Sequence, residues 1–413
     1  TSSVDYSSFS FNNHTDYIFD RTTTDDSFQK EKSDKNVTNY SIQSDYVLPI
    51  NGQSKLEAGY KSSFFEDNSL LSANKVIDDA LIPDYSDDFN FERQIHAIYM
   101  TYQNRFKSIG YQIGLRGEQT ITDWKNADSQ GENADFDLFP SIFLTKKIND
   151  SNELQLSATR RINRPDGRRI NPFRNISDST NIFYGNPNLK PEFSITYEMN
   201  YIKTWKKHSL SSSIYFRQTN DVIQSINSLI QTETGHNYME QTFQNITSSK
   251  NGGFEFTAKN RLFSMIELTS MLDIYYSQME GNEKYNIKKE EDFSWDTKII
   301  ANLLFKKGFS GQIIGSYRAP RLLAQGKDLA DYNIDLGIKK TFNKKVNINL
   351  TIKDILDSGK HKSETYGNNF YQINENYRQG RNLALTISYN FGNMKSKNEK
   401  QKSESNFNSD DEM

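Results

Sequence analysis

The sequence predicts an all-β protein, an antiparallel up-and-down transmembrane β-barrel with about 16 strands in this chain. Three observations predict it. Apolar and polar residues alternate with period two along most of the chain. Many alternating segments run to about 10 residues or more, the 9–11 that a tilted strand needs to cross a bilayer and more than the 5–6 of an ordinary globular strand. The connections between them are alternately short and long.

The alternation can be followed in chain order. It appears at Tyr111, Ile113 and Leu115, then at Leu154, Leu156 and Ala158. Phe193, Ile195, Tyr197, Met199 and Tyr201 alternate with Ser194, Thr196, Glu198 and Asn200. Ile334, Leu336 and Ile338 follow, then Val346, Ile348, Leu350 and Ile352. The last segment sets Leu383, Leu385, Ile387, Tyr389 and Phe391 against Asn382, Ala384, Thr386, Ser388 and Asn390. In each case one set faces lipid and the other an aqueous lumen.

Short connections fall at Asn51-Gly52, Lys107-Ser108, Asn149-Asp150, Lys206-Lys207, Ser264-Met265, Lys307-Gly308 and Asn343-Lys344. Long ones fall at 19–36, 67–88, 126–133, 164–191, 223–239, 281–292 and 357–380. Outer-membrane barrels have short periplasmic turns and long extracellular loops. On that assignment the last strand ends in the periplasm at Phe391, and the first, residues 3–18, starts there. The barrel is expected over residues 1–392, and the polar tail 393–413 is expected to be disordered in the periplasm. Asn51-Gly52 suits a type I′ turn, because both residue types tolerate positive φ. Trp205, Phe263, Phe305, Phe342 and Phe391 sit at short-turn ends and are read as an inner aromatic girdle. The β-propensity of aromatics is the competing account.

Composition agrees. Aromatics make up 13% of a chain whose mean hydropathy is low, the combination a polar-lumen barrel needs. No apolar run approaches the length of a membrane-spanning helix. A net charge of -3 gives no reason to expect nucleic acid. There are no cysteines, which excludes disulfides and thiolate metal sites. The five histidines, His14, His96, His208, His236 and His361, are scattered. No zinc motif, phosphate loop, nucleophile elbow or paired catalytic acids occur. No enzyme, cofactor or metal is therefore expected. Asp78, Asp79, Asp84, Asp87 and Asp88 read as a solvated acidic loop, with calcium binding as the rival.

The most distinctive stretch is Arg160-Arg161-Ile162-Asn163-Arg164-Pro165, then Ile170-Asn171-Pro172-Phe173, then Gly185-Asn186-Pro187-Asn188-Leu189-Lys190-Pro191-Glu192. This series resembles the TonB-dependent receptors, and among them the Bacteroidota outer-membrane β-barrel family. Gly252-Gly253-Phe254-Glu255, the segment Leu336–Asp354 and the closing segment Leu383–Gly392 also resemble that family, over most of residues 90–392. The resemblance implies an outer-membrane receptor that takes up a large scarce nutrient: a siderophore, a vitamin or an oligosaccharide. It implies a barrel of about 22 strands, an N-terminal plug, and coupling to TonB–ExbB–ExbD. The sequence starts at Thr1 with neither plug nor TonB box, and is read as part of a longer receptor. A surface lipoprotein lid is left open.

Phase places Arg161 and Asn163 toward the lumen and Arg164, Arg168 and Arg169 in the loop, a positive mouth for an anionic ligand. The rival reading is a hydrated lining balanced by acids such as Glu118 and Glu198. Arg160 is expected to point outward above the apolar band, within reach of lipopolysaccharide phosphates. Gly185, Asn186, Pro187, Leu189, Lys190, Pro191 and Glu192 are assigned to loop geometry, because Pro187 and Pro191 cannot donate to a ladder. A plug-free porin and a soluble β-sandwich that processes glycans are the alternatives.

Overall fold

The computed structural model describes the chain apart from residues 20–26, 78–79, 179, 234, 236, 247, 286, 344, 378–379 and 392–413. The wall begins with β1 (Ser2–Phe19), β2 (Ser27–Pro49), β3 (Lys55–Ile77), β4 (Ala80–Phe106), β5 (Ile109–Lys125), β6 (Gln130–Asn149) and β7 (Asn152–Asn163). The next connection carries helix α1 (Gly167–Ile170) and short strands β8 (Asn175–Asp178) and β9 (Asn181–Phe183). The wall resumes with β10 (Glu192–Trp205) and β11 (His208–Asn220), whose following loop holds β12 (Ile223–Gln231) and β13 (Asn237–Asn245). Wall strands β14 (Ser248–Leu262), β15 (Ile266–Met279), β16 (Glu290–Leu304) and β17 (Phe309–Arg318) come next. A loop with β18 (Arg321–Leu323) and β19 (Gly326–Asp328) leads to β20 (Asp331–Phe342) and β21 (Val346–Lys353). The last loop holds β22 (Lys360–Tyr366) and β23 (Tyr371–Tyr377) and is followed by β24 (Asn382–Tyr389).

The wall is one antiparallel sheet of 16 strands, ordered along the sequence with β1 and β24 at its edges. Its register keeps the predicted faces. Tyr197, Met199 and Tyr201 stand opposite Ala158, Leu156 and Leu154, while Thr196, Glu198 and Asn200 stand opposite Thr159, Ser157 and Gln155. The apolar face is left uncovered: Ile98 is 70% exposed, Ile113 53% and Ile338 59%. Among the described residues only fourteen apolar side chains are buried. A soluble protein of this length hides most of its aliphatic side chains. This one displays them as a continuous belt, which needs lipid to cover it.

The short turns lie where the sequence puts them, but their chemistry differs. Lys107, Lys206, Phe263, Lys307 and Asn343 take the left-handed conformation, with φ between 47° and 60°. Asn51-Gly52 is not the expected type I′ turn, since neither residue has positive φ. Instead Asn51 Oδ1 accepts from the amides of Gln53 and Ser54, each at 2.9 Å. An Asx turn thus supplies the reversal.

Two expected loops are strands. β1 pairs with β2 as far as Phe19↔Ser27, and β3 with β4 as far as Ile77↔Ala80, so most of 19–36 and 67–88 is extended hairpin. Above the bilayer a hairpin needs no apolar outer face, so the period-two signal fades there while the ladder continues. Asp84, Asp87 and Asp88 accordingly lie in β4, not in a loop, and Asp78 and Asp79 fall outside the described residues. The expected tail, residues 393–413, and His236 also fall outside them.

The long connections on the other side build structure of their own. One four-stranded sheet has the order β12-β13-β9-β8, another β18-β19-β22-β23. Each combines segments from two different wall hairpins. The two sheets meet where Gln325 donates to the Asn227 carbonyl at 3.1 Å and accepts the Asn227 amide at 2.7 Å. Beside this contact Ile226, Ile246, Ile287 and Ala324 form a small buried cluster.

Candidate functional site

The site is the polar concave face of the wall and the loop folded over its outer end. The loop after β7 turns inward because two apolar side chains, Ile170 and Leu189, find partners there. They pack with Phe89, Phe91 and Ile223 in the largest buried cluster, against Phe65 and Trp124. Phe91 and Trp124 face each other on β4 and β5, on the same side as Glu118 and Thr120. The upper wall is thus lined with aromatics that anchor the loop.

The predicted motif residues meet at this anchor. Gly185 lies where a Cβ would stand 2.6 Å from the Arg169 carbonyl oxygen and 2.7 Å from that of Asn171. Only glycine fits this approach. The Asn186 side chain donates to the Phe243 carbonyl at 3.0 Å and accepts the Asn188 amide at 3.0 Å. Leu189 is buried between Pro187 and Pro191 on either side in sequence. The Lys190 backbone is bracketed by Asn245, which accepts its amide at 2.8 Å and donates to its carbonyl at 2.9 Å. Glu192 accepts from the Ile223 amide and from Asn163 Nδ2, the latter at 2.7 Å. Asn245 and Gln325 carry as much of the loop geometry as the motif does. Nothing in their sequence surroundings marks them.

The arginines separate by environment. Arg164 donates to Glu118 Oε2 at 2.7 Å with little exposure, and Arg116 holds the other oxygen at 2.6 Å. Arg168 lies over the Phe183 ring at 4.9 Å. Arg169 lies 3.8 Å from Asp166, whose carboxylate caps α1, and over the Phe243 ring at 5.7 Å. Arg174 pairs with Glu240, and burial with that carboxylate pushes the nearby Tyr184 phenol above its ordinary value. Arg161 is exposed, faces the lumen opposite Ser194, and has no ion pair among the described residues. One strand further on, Arg217 stands opposite Thr196 on the same face.

Arg160 corrects the sequence reading. Register puts its Cα on the outer face, opposite Ile195. Its guanidinium does not extend free toward the headgroups. It donates to the Leu138 carbonyl and lies over the Phe193 ring at 4.4 Å and near Asp137. The cause is a fork in the wall: the β6–β7 ladder stops at Ser141↔Thr159, and the arginine fills the crotch.

A row of directly paired residues crosses six strands and reaches the outer ends of β17 and β20: Ser213, Glu255, Asp273, Asp296, Arg318 and Asp331. Carboxylates directly opposite one another are unfavourable in a sheet, and Arg318, 3.6 Å from Asp331, offsets part of that repulsion. At the short-turn ends Trp205, Phe263, Phe305, Phe342 and Phe391 are all exposed. Lysines accompany two of them, Lys203 over Trp205 at 5.4 Å and Lys340 over Phe342 at 5.3 Å.

This architecture has sequence and structural relatives. The model of the outer membrane protein beta-barrel family matches residues 1–389. The chain belongs to that family. Its place is therefore the outer membrane, and the soluble sandwich is set aside. No functionally curated protein is detectably similar to the barrel in sequence. Among solved structures it is similar to the copper transporter OprC, with a TM-score of 0.63 and 13% identity over 94% of this chain and 62% of that one. The ferric yersiniabactin uptake receptor FyuA from Yersinia pestis gives 0.59 and 12% over 95% and 59%. The ferripyoverdine receptor of the Pseudomonas aeruginosa outer membrane gives 0.57 and 12% over 94% and 54%. The barrel spans 54–62% of the length of these three proteins. At such identities the likeness is one of fold.

Proposed function

We propose that this chain is the wall of a TonB-dependent receptor, of the Bacteroidota type that its Gly185–Glu192 series resembles. In this reading the receptor takes up a scarce, anionic nutrient through the polar lumen. The observation that carries the proposal is the loop after β7. It is held over the lumen by built contacts at Gly185, Asn186, Leu189 and Glu192, and leaves Arg161 open beneath it. Solved structures of similar fold include a ferric yersiniabactin uptake receptor and a copper transporter.

The roles divide as follows. Arg161, with Arg217 two strands away on the same face, would recognise carboxylate or phosphate oxygens through the guanidinium fork. Arg164 and Asn163, already engaged by Glu118 and Glu192, position the loop; Arg168 and Arg169 brace it on Phe183 and Phe243. Trp205, Phe263, Phe305, Phe342 and Phe391 act as the inner aromatic girdle. A plug inside the lumen and TonB–ExbB–ExbD would supply the gating and the energy, and lipopolysaccharide surrounds the outer rim. No covalent chemistry is required of any residue.

Growth of a strain carrying the intact receptor gene, compared with its deletion, tests the class of nutrient. Poor growth of the deletion strain under iron limitation supports a ferric chelate. Loss of uptake in an Arg161→Ala receptor that still assembles supports the cationic mouth, and unchanged uptake rejects it.

A further inference from the structure

Two of the short turns meet at one place on the rim. β17 pairs with β20 from Phe309↔Lys340 upward, so the turn before β17 lies beside the turn after β20. Gly308, with a φ of 76°, lets them close: a Cβ there would stand 2.6 Å from the Thr341 carbonyl oxygen. Across the same gap the Lys340 ammonium donates to the Lys307 carbonyl at 2.6 Å. Lys306, Lys307 and Lys345 are exposed in the two turns. The fold thus gathers onto one spot lysines that lie more than thirty residues apart in the chain.

Nothing around this spot balances its charge. Residues 304–309 and 339–346 contain no acid. On one side Glu267 of β15 faces the lumen opposite Asn302 and stands 3.7 Å from Arg261. On the other side β21 and β24 carry no acid at all. The segment 393–413 that follows holds lysines and acids in near balance, so it brings little net charge of either sign. Lys339 points away, into the lumen opposite Ser310. Lys340 is different: its register puts it on the lipid-facing column between Ile338 and Phe342. Its ammonium lies over the Phe309 ring at 3.8 Å and the Phe342 ring at 5.3 Å, and both rings are 45% exposed. Aromatic rings of this kind sit at the level of the lipid headgroups, so the ammonium is held where hydrocarbon gives way to phosphate. An ammonium has three protons to donate. The Lys307 carbonyl takes one of them.

We propose that the joined β16–β17 and β20–β21 turns form a binding site for an anionic phospholipid of the periplasmic leaflet. Lys340 donates to the lipid phosphate, Lys306, Lys307 and Lys345 attract its charge, and its acyl chains lie on Phe309 and Phe342. Short turns of outer-membrane barrels face the periplasm, where the leaflet is made of phospholipid. The charge of the headgroup follows from the lysines. A zwitterionic headgroup brings an ammonium of its own into a field with no carboxylate to receive it, whereas an anionic headgroup brings none.

The test uses the full-length protein in nanodiscs of equimolar phosphatidylglycerol and phosphatidylethanolamine, with native mass spectrometry counting the lipids it retains. Phosphatidylglycerol should be retained over phosphatidylethanolamine by about five-fold or more. Lys340→Gln should lose one phosphatidylglycerol of those retained, and Lys340→Arg, which keeps the charge, should lose none. Lys339→Gln removes the same charge one residue away on the lumen face and should also lose none. Heat-modified mobility shows that each variant is folded. Excess inorganic phosphate should displace no lipid, since the acyl chains hold it as well as the charge. Equal retention of the two lipids, no loss in Lys340→Gln, the same loss in Lys339→Gln, or displacement by inorganic phosphate would overturn the proposal.

Discussion

Arg164 and Glu118 tie the loop over the lumen to the wall beneath it. The guanidinium donates to the carboxylate at 2.7 Å, and both side chains are at most 12% exposed. Removing Arg164 leaves Glu118 with Arg116 alone, so the cost falls below the roughly 3–5 kcal/mol of a buried charge left with no partner. Arg164→Ala is therefore expected to free the loop locally. Limited proteolysis within 164–191 should become rapid, while heat-modified mobility shows the barrel still folded.

Gly185→Ala tests the close approach of the same loop to α1. The new methyl would meet two backbone oxygens, of Arg169 and Asn171, which cannot rotate away. The variant is expected to expose Trp124 to a soluble quencher by displacing Leu189 from its cluster. Gly315→Ala, whose Cβ meets nothing within 4 Å, is the matched control and should leave fluorescence unchanged.

Much of this fold could be read from residue type alone, and the reason is geometric. A strand that crosses lipid must alternate, so Phe193 to Tyr201 and Val346 to Ile352 announce both their strands and their faces. Outside the bilayer that requirement lapses. The upper parts of β1 to β4 lose the regular alternation and read as loops, and β12, β13 and β22 do not alternate apolar with polar residues. The Gly185–Glu192 series stood out because a close approach and two prolines restrict residue choice. Gln325 and Asn245 did not, because an amide bridging distant backbone leaves no local pattern. Arg160 was misread because phase fixes the direction of Cβ, and a long side chain can fold back into a fork that the sequence does not reveal.

The contact between the two outer sheets rests on Gln325. Gln325→Leu keeps the volume but leaves the buried Asn227 amide and carbonyl without partners, each costing about 1–3 kcal/mol. Exchange of the Asn227 amide is expected to accelerate by at least ten-fold, with wall amides unaffected.

One carboxyl gives an acid dependence with a definite sign. Burial pushes Asp354 up, but the Ser358 and Gly359 amides and the Ser358 hydroxyl outweigh it and hold the group below its ordinary value. Its contribution is present above the unfolded value of about 3.9 and is lost as pH falls through the lower folded value. The turn 354–359 should therefore keep its protection from pH 7 down to about 4 and lose it below, as followed by amide shifts. Asp354→Asn should remove that step.

The central claim concerns which side chains meet lipid. Single spin labels at Ile113, Ile195 and Ile338 are predicted to collide with oxygen dissolved in the bilayer, and labels at Gln112, Thr196 and Lys339 with a water-soluble nickel complex. The same response from both sets would contradict the account.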